Sequence, residues 1–233
     1  MSPTRIKVLV IDDSALVRQI LVEILKRAPD MEVVGTAGDP FMARERIKET
    51  NPDVLTLDVE MPRMDGLTFL ANLMRLRPMP VVMVSSLTER GAETTLKALE
   101  LGAVDFVSKP KVGVAGTLGD FSDEILAKIR TAAGARVLAR HASVSAVAPR
   151  HSVDAILPCG QVARKMLRTT DRIVAVGAST GGTEAIREFL MGLPADSPAV
   201  LIAQHIPAAF RAPFTRRMDS LCVLRVCEPH DGQ

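Results

Sequence analysis

The sequence contains no tryptophan and no tyrosine, and phenylalanine accounts for all of its aromatic residues. Proteins that bind single-stranded nucleic acid usually stack the bases on aromatic rings, beside a groove lined with Lys and Arg. Here the formal net charge is only +2, and no basic run occurs. The composition therefore argues against a nucleic-acid-binding function.

Cysteine is scarce, and long apolar runs are missing. Cys159, Cys222 and Cys227 include no Cys-x-x-Cys spacing, so neither a disulfide framework nor a zinc site is indicated and a reducing compartment is expected. No segment approaches the roughly 18 consecutive apolar residues of a membrane-spanning helix. The apolar run at residues 7–11 is also too short for a signal peptide. We therefore expect a cytoplasmic protein with no membrane insertion.

Four apolar runs in the first half of the chain each lead into polar residues. Residues 8–11 precede Asp12 and Asp13, residues 54–57 precede Asp58, residues 81–84 precede Ser85, and the run from Phe106 leads to Lys109. Such runs are typical of parallel strands buried on both faces. Because open α/β sheets bind their ligands at the carboxyl ends of the strands, we expect these polar side chains to gather at one edge.

Clustered carboxylates repel one another and need a compensating charge, which a Mg²⁺ ion with oxygen ligands commonly supplies. An aspartate in such a site can attack a phosphoryl donor and carry the phosphoryl group as an acyl phosphate. Lys109 could then neutralise the added charge. Taken singly, each aspartate could instead cap a helix or start a turn. That explanation is much weaker for all five strand-end positions together, namely Asp12, Asp13, Asp58, Ser85 and Lys109.

The hydrophobic pattern of this half predicts five strands alternating with five helices. The predicted helices cover residues 16–25, 40–51, 65–77, 89–100 and 121–136. This alternation indicates a flavodoxin-like (βα)5 domain, doubly wound around a parallel sheet. We place this domain at residues 1–136, followed by a linker at 137–170 in which residues 156–167 have weak helical spacing.

The apolar runs in residues 171–233 predict strands at 172–177, 199–203 and 222–226. Together with the helical segments between them, these strands indicate the first part of a second doubly wound parallel α/β domain. Ser179 follows the first strand between Gly177 and Gly181, and His205 follows the second. A serine on a tight strand-to-helix turn, with a histidine one βα unit later, is the arrangement that nucleophilic acyl chemistry requires. The same glycines could also serve a phosphate-binding turn, and Ser179 could simply cap the following helix.

A third group that orients the histidine is difficult to find. Asp196, Asp219 and Asp231 are the candidates, but Asp196 falls in a predicted loop and Asp219 ends a predicted helix. Both positions are typical of surface residues, so neither is a convincing orienting group.

These motifs resemble two known domains. Residues 6–136 are similar to a two-component receiver domain, and residues from 171 onward are similar to the esterase domain of the chemotaxis protein-glutamate methylesterase family, CheB. The receiver motifs are Asp12-Asp13, Asp58 within Asp-Val-Glu-Met-Pro62, Asp65-Gly66, Ser85 and Lys109-Pro110. The esterase motifs are Gly-Ala-Ser179-Thr-Gly-Gly-Thr183-Glu-Ala-Ile and Gln204-His205-Ile-Pro207.

For the receiver half, the resemblance implies that Asp58 is phosphorylated by a histidine kinase. It also implies a Mg²⁺ ion held by Asp13, Asp58 and the Glu60 backbone carbonyl, with Asp12 acting through water. Ser85 and Phe106 would respond to phosphorylation together, and Lys109 would contact the phosphoryl group. The unphosphorylated receiver would cover the esterase cleft.

For the second half, the resemblance implies a hydrolase without a cofactor. Ser179 would be the nucleophile and His205 the base. The orienting aspartate would lie beyond Gln233, so the resemblance implies that the chain is the amino-terminal part of a longer enzyme. The substrates would be glutamate methyl esters on the cytoplasmic helices of chemoreceptors, with deamidation of receptor glutamines as a second activity. The alternative is a phosphorylatable docking module without catalysis in this chain. A transcriptional regulator is disfavoured because no helix-turn-helix pattern follows Thr170.

Overall fold

The computed structural model describes residues 5–61, 66–86, 88–109, 117–137 and 172–230. Its first unit is a five-stranded sheet in the order β2-β1-β3-β4-β5, in which every neighbouring pair is parallel. The strands are β1 (Ile6–Ile11), β2 (Met31–Ala37), β3 (Val54–Asp58), β4 (Val81–Ser85) and β5 (Asp105–Ser108). The flavodoxin-like architecture predicted from the sequence is confirmed.

Five helices cover the two faces of this sheet. They are α1 (Ala15–Lys26), α2 (Pro40–Thr50), α3 (Gly66–Leu76), α4 (Glu89–Leu101) and α5 (Thr117–Ala133). Ser14, Asp39 and Thr88 cap α1, α2 and α4 by accepting a backbone N–H bond within the first turn. Helix α5 begins four residues before the predicted start at Phe121. The prediction missed this first turn because residues 118–120 are exposed and show no apolar periodicity, whereas Phe121 is buried.

Side chains of the central strands alternate between two apolar cores. Leu9 and Met83 face the core built with α2, α3 and α4, while Val8 and Val82 face the core built with α1 and α5. Every residue of β3 and β4 is buried, as the continuous apolar runs predicted. The sheet therefore holds the carboxyl ends of its strands in fixed positions.

The second unit consists of β6 (Ile173–Ala178), α6 (Gly182–Met191), β7 (Ala199–Gln204) and α7 (Ala208–Leu221). Strands β6 and β7 pair in parallel, with Ile173 opposite Ala199 and Ala178 opposite Gln204. One face of this two-stranded sheet is open, and Leu201 on it is 59% exposed. These strands belong to the second α/β region that the sequence predicted.

The predicted strand at residues 222–226 is wrong. This segment is irregular, and the Val226 N–H bonds the Asp219 carboxylate (2.8 Å) rather than a neighbouring strand. Of its apolar residues, Cys222 is buried against the core beside α7, whereas Val223 is exposed.

The predicted linker lies outside the described residues apart from Val137, and so does the weakly helical segment 156–167. Within the described part of the chain, no helix is both long and apolar enough to cross a bilayer.

The apolar core on the α4 side of the receiver sheet continues into the second unit. Ile186 of α6 and Phe210, Phe214 and Met218 of α7 are buried and belong to the same cluster as Leu96 of α4. Burying a large apolar side chain contributes about 1.5–3 kcal/mol, so this shared core stabilises the contact between the two units.

Candidate functional site

Three carboxylates meet at the carboxyl edge of the receiver sheet. Asp12 and Asp13 follow β1, and Asp58 ends β3, which lies beside β1. One oxygen from each carboxylate lies within 4.8 Å of the others. Asp12 and Asp58 are buried and Asp13 is exposed. The sequence prediction that these side chains converge is therefore correct as to position.

Lys109 follows β5 and reaches across to the two buried carboxylates. Its Nζ lies 2.8 Å from Asp58 Oδ2 and 3.1 Å from Asp12 Oδ2. The Lys109 backbone N–H donates to the Ser85 carbonyl at 2.7 Å, which places the residue at the end of the β4–β5 pair. One ammonium thus bridges two of the three carboxylates.

Burial dominates the electrostatics of this cluster. It raises the pKa of Asp58 to about 6, although the hydrogen bond from Lys109 acts in the opposite direction. The pKa of Asp12 is raised for the same reason. Burial alone would lower the pKa of Lys109, but its hydrogen bond to Asp58 and the negative charges of Asp58 and Asp12 raise it above the ordinary value. In the metal-free protein, the ionised cluster is thus under electrostatic strain.

We expect Asp58→Asn to stabilise the metal-free protein at neutral pH. Because the folded state raises the Asp58 pKa from 3.8 to about 6, the folded protein binds more protons than the unfolded chain between these values. The ionised carboxylate therefore opposes folding above pH 6, by up to about 3 kcal/mol. The advantage of the variant should shrink as the pH falls through 6 towards 4.

Urea unfolding in chelator-treated buffer at several pH values measures this difference. Asp120→Asn is the control, because Asp120 is an exposed aspartate in the first turn of α5. If wild type is more stable than Asp58→Asn at pH 8, the strain argument is wrong.

Backbone groups and one arginine fix the loops of the cluster. The Ser14 N–H donates to Asp12 Oδ1 (2.8 Å) and the Glu60 N–H donates to Asp58 Oδ1 (3.1 Å). Arg18 donates to the carbonyls of Asp12 (2.6 Å) and Asp13 (3.0 Å). Arg18 is not among the site residues predicted from the sequence, because a polar residue on a helix face carries no signal of the loop that it contacts.

Gly66 lets α3 begin directly beside the phosphoacceptor candidate. A Cβ atom at this position would lie 2.7 Å from the Asp58 carbonyl and 2.9 Å from the Val59 carbonyl. Both neighbours are backbone atoms that cannot turn aside. The glycine of the Asp-Gly motif is therefore required by a close approach of two backbones.

Ser85 and Phe106, the two predicted switch residues, lie on adjacent strands and are both buried. The Ser85 hydroxyl contacts Thr95 Oγ1 of α4 at 2.7 Å. The Phe106 ring stacks on Phe210 of α7, with the ring centroids 4.4 Å apart and the planes at 20°. Phe106 thus joins the receiver to the second unit.

Asp105, next to Phe106, makes a second contact between the units. Its Oδ2 accepts a hydrogen bond from the Gly181 N–H at 3.3 Å, and its Oδ1 lies 3.4 Å from Lys128 Nζ. Burial raises the pKa of Asp105, against the charge of Lys128. Gly181 has a φ of 71° and lies two residues after Ser179. A receiver carboxylate therefore occupies one backbone donor of the serine turn.

Arg217 of α7 links the second unit to α4. Its guanidinium donates to the Leu96 carbonyl at 3.1 Å and lies within 2.8 Å of Glu100 Oε1. It also bonds Glu184 of α6 at 2.9 Å. The Arg217 side chain is only 12% exposed, and its carboxylate and carbonyl partners offset the cost of burying the guanidinium charge.

Ser179 and His205 follow the ends of β6 and β7, and both are exposed. The parallel register places them side by side, because Ala178 pairs with Gln204 and the His205 N–H donates to the Ala178 carbonyl. The Ser179 carbonyl accepts bonds from the Gly182 N–H (2.8 Å) and Gln204 Nε2 (3.0 Å). No hydrogen bond joins the Ser179 and His205 side chains.

Neither described candidate for the third group contacts His205 by a hydrogen bond. Asp196 is exposed in the turn before β7, and the Asp219 carboxylate accepts the Val226 N–H on the surface of α7. Asp231 lies outside the described residues. These positions agree with the sequence argument that Asp196 and Asp219 are surface residues.

Two family models match the chain, in the order that the sequence motifs suggested. The model described as "Response regulator receiver domain" matches residues 8–113, and "CheB methylesterase" matches residues 174–233. The receiver domain of Thermotoga maritima CheB superposes with a TM-score of 0.51 and 46% sequence identity. The alignment covers 57% of this chain and 98% of that one.

Two curated relatives extend the match over the whole chain. "Protein-glutamate methylesterase/protein-glutamine glutaminase 2" of Cupriavidus pinatubonensis is 57% identical over 233 residues, or 100% of this chain and 63% of the relative. The protein named "Protein-glutamate methylesterase/protein-glutamine glutaminase" in Paraburkholderia xenovorans is 58% identical over 229 residues, 98% of this chain and 63% of its own length. The chain therefore spans 63% of the length of these relatives.

A buried aspartate, two neighbouring carboxylates and a lysine at the carboxyl edge of a five-stranded parallel sheet define a response regulator. The second matched domain narrows this class. The chain belongs to the CheB family of chemotaxis response regulators.

Proposed function

We propose that this chain is the regulatory and nucleophile-bearing part of an esterase that removes methyl groups from glutamate methyl esters of chemoreceptors. Phosphorylation of Asp58 by a histidine kinase would control it, and deamidation of receptor glutamines would be a second activity. One observation carries the regulatory proposal: Asp105 of the receiver bonds the Gly181 N–H in the turn that holds Ser179. The cytoplasm is the compartment in which this substrate and this kinase would meet the protein.

The proposed domain bounds remain those of the sequence argument. The receiver covers residues 1–136, a linker covers 137–170, and residues 171–233 form the amino-terminal part of the catalytic domain. The matched segments 8–113 and 174–233 lie within these bounds and support them.

The carboxylates at the receiver edge fit a hard divalent cation. Three carboxylate oxygens lie within 4.8 Å of one another, and the buried Asp12 Oδ2 accepts no hydrogen bond, although Lys109 Nζ is 3.1 Å away. Asp12, Asp13, Asp58 and the Glu60 carbonyl would hold Mg²⁺, directly or through water. When bound, the ion would offset the charge of the carboxylates and of the incoming phosphoryl group.

Asp58 is the proposed phosphoacceptor. An oxygen of its carboxylate attacks the phosphorus of a phosphohistidine, the P–N bond breaks, and the histidine leaves with the electron pair of that bond. The product is an acyl phosphate on Asp58. The Lys109 ammonium, already 2.8 Å from Asp58 Oδ2, remains beside the new phosphoryl oxygens and pairs with their charge.

Ser179 and His205 would perform the ester chemistry. His205 takes the Ser179 hydroxyl proton as Oγ attacks the ester carbonyl carbon, and the oxyanion accepts hydrogen bonds from backbone N–H groups of residues 180–183. Collapse breaks the bond to the methoxy oxygen, which leaves as methanol with the proton from His205. Water, activated by the same histidine, then hydrolyses the acyl-serine.

The contacts of β5 would couple the two reactions. In the described structure, Asp105 occupies the Gly181 N–H, and Phe106 stacks on Phe210. Both receiver residues belong to β5, the strand that leads to Lys109. A movement of β5 when Asp58 is phosphorylated would therefore loosen both contacts together and free a donor of the serine turn.

We expect Ser85 and Phe106 to change position together when an acyl-phosphate mimic binds Asp58. The Ser85 hydroxyl would turn to the phosphoryl oxygen, and the Phe106 ring would leave its stack on Phe210, since a local charge change biases a packed contact with two arrangements. Crystal structures with and without beryllofluoride and Mg²⁺ measure both side chains. If both remain in place, this coupling is wrong.

The esterase proposal is tested with methylated chemoreceptor membranes. The enzyme is a fusion of this chain with the segment that completes the length of the Cupriavidus pinatubonensis relative. We expect methanol release that rises when a small phosphodonor and Mg²⁺ are added. Equal release with and without the donor contradicts the regulation, and no release above background contradicts the esterase activity.

A docking function without catalysis is the second candidate for this particular chain. Two observations favour it: the chain spans 63% of the length of its relatives, and no carboxylate of the described residues bonds His205. In that case the 233-residue chain is phosphorylated and binds partners but releases no methanol.

A further inference from the structure

Thr95 lies at the centre of a small buried network next to the receiver edge. Its Oγ1 atom is 2.7 Å from Ser85 Oγ and 2.7 Å from the carbonyl oxygen of Gly91, one turn earlier in α4. The other contacts of the Ser85 hydroxyl, to the carbonyls of Ser86 and Gly91, are both longer, at 3.4 Å. Thr95 is therefore the nearest hydrogen-bond partner of Ser85.

Thr95 is the donor in both of these contacts. Its single hydroxyl hydrogen is shared between the Gly91 carbonyl, the usual acceptor for a helical threonine four positions later, and the Ser85 Oγ atom. The Ser85 hydroxyl donates in turn to the carbonyls of Ser86 and Gly91. Hydrogen bonds to Thr95 and Gly91 thus hold the Ser85 hydroxyl beside α4.

Packing alone gives no reason for a threonine at this position. Thr95 is completely buried, and a buried hydroxyl costs free energy unless it is hydrogen-bonded. Valine has nearly the same shape without that cost. What threonine adds is a hydrogen-bond partner for Ser85, the hydroxyl that the proposed function requires at the phosphoryl group.

We propose that Thr95 is a positioning residue that holds the Ser85 hydroxyl away from Asp58 and thereby sets how readily the receiver takes up a phosphoryl group. This proposal rests on the proposed phosphorylation of Asp58. To donate to a phosphoryl oxygen, Ser85 must give up its bond to Thr95, while Thr95 retains its bond to Gly91. Removing the Thr95 hydroxyl removes that competitor.

The test is the affinity of the 233-residue chain for beryllofluoride in the presence of Mg²⁺, measured by titration calorimetry. We expect Thr95→Val to bind about 2- to 12-fold more tightly than wild type, the range that corresponds to one net hydrogen bond. Thr95→Ser retains the hydroxyl and should restore the wild-type affinity. In a Ser85→Ala background, Thr95→Val should have no effect, because the partner is already absent.

Unchanged or weaker binding by Thr95→Val overturns the proposal, and so does an effect of the same size in the Ser85→Ala background. If valine prevents folding, Thr95→Ala in both backgrounds provides the same comparison. A failure of the proposed phosphorylation of Asp58 gives a different result from a failure of the Thr95 proposal. In that case wild type itself does not bind beryllofluoride, or Asp58→Asn binds it equally well.

Discussion

Asp58→Asn should abolish covalent phosphorylation of this chain. With a small phosphodonor and Mg²⁺, wild type should gain one phosphoryl group per molecule and the variant none, because an amide oxygen cannot act as the nucleophile that forms an acyl phosphate. The position is specific, since Asp58 is the buried carboxylate at 2.8 Å from Lys109 and its pKa of about 6 leaves it largely ionised at neutral pH. Intact-protein mass spectrometry measures the added mass.

The surface variant Asp120→Asn is the matched control and should be phosphorylated like wild type. Full labelling of Asp58→Asn would show that another residue receives the phosphoryl group. Treatment with hydroxylamine provides a chemical check, because it cleaves an acyl phosphate but leaves a phosphoserine intact.

Ser179→Ala and His205→Ala should each reduce methanol release by on the order of 10⁶-fold in the fusion of full relative length, as removal of the nucleophile or its base does in serine hydrolases. Both side chains are exposed after the ends of β6 and β7 rather than packed in the core. The melting temperature should therefore change little. Ser220→Ala, a change to an exposed serine near the end of α7, is the control.

The unfused 233-residue chain should release methanol near the background rate even with Ser179 intact, because nothing in its described part orients His205. The decisive comparison is between this chain and the fusion on the same methylated receptor. Similar rates would mean that an acid within the chain completes the site. Asp196 and Asp231 would then be the residues to substitute.

The control variant of the fusion, Ser220→Ala, should release methanol like the unchanged fusion. A large loss of methanol release in this control would show that the assay reports folding rather than chemistry.

The receiver cluster could be predicted from the sequence because its geometry follows from strand order alone. Each of its polar residues comes at the end of a buried apolar run, and parallel strands align those ends at one edge. Asp12, Asp58 and Lys109 therefore meet without any contribution from loops of unknown shape. The pairing of Ser179 with His205 after β6 and β7 follows for the same reason. The strand predicted at residues 222–226 failed because an apolar pattern does not show whether a segment has a strand to pair with, and here Cys222 is buried while Val223 is 69% exposed.

The sequence by itself determined the α/β class, the strand ends and the residues that lie there, because hydrophobic periodicity and turn residues are local properties of the chain. Only the tertiary structure decided which groups meet across elements far apart in the sequence. Asp105 bonds Gly181 and Phe106 stacks on Phe210 because α7 packs on the α4 side of the receiver. Thr95 meets Ser85 because α4 packs beside the end of β4. Such contacts depend on how the helices pack on the sheet. That packing is determined by side chains from several elements, and no local sequence pattern encodes it.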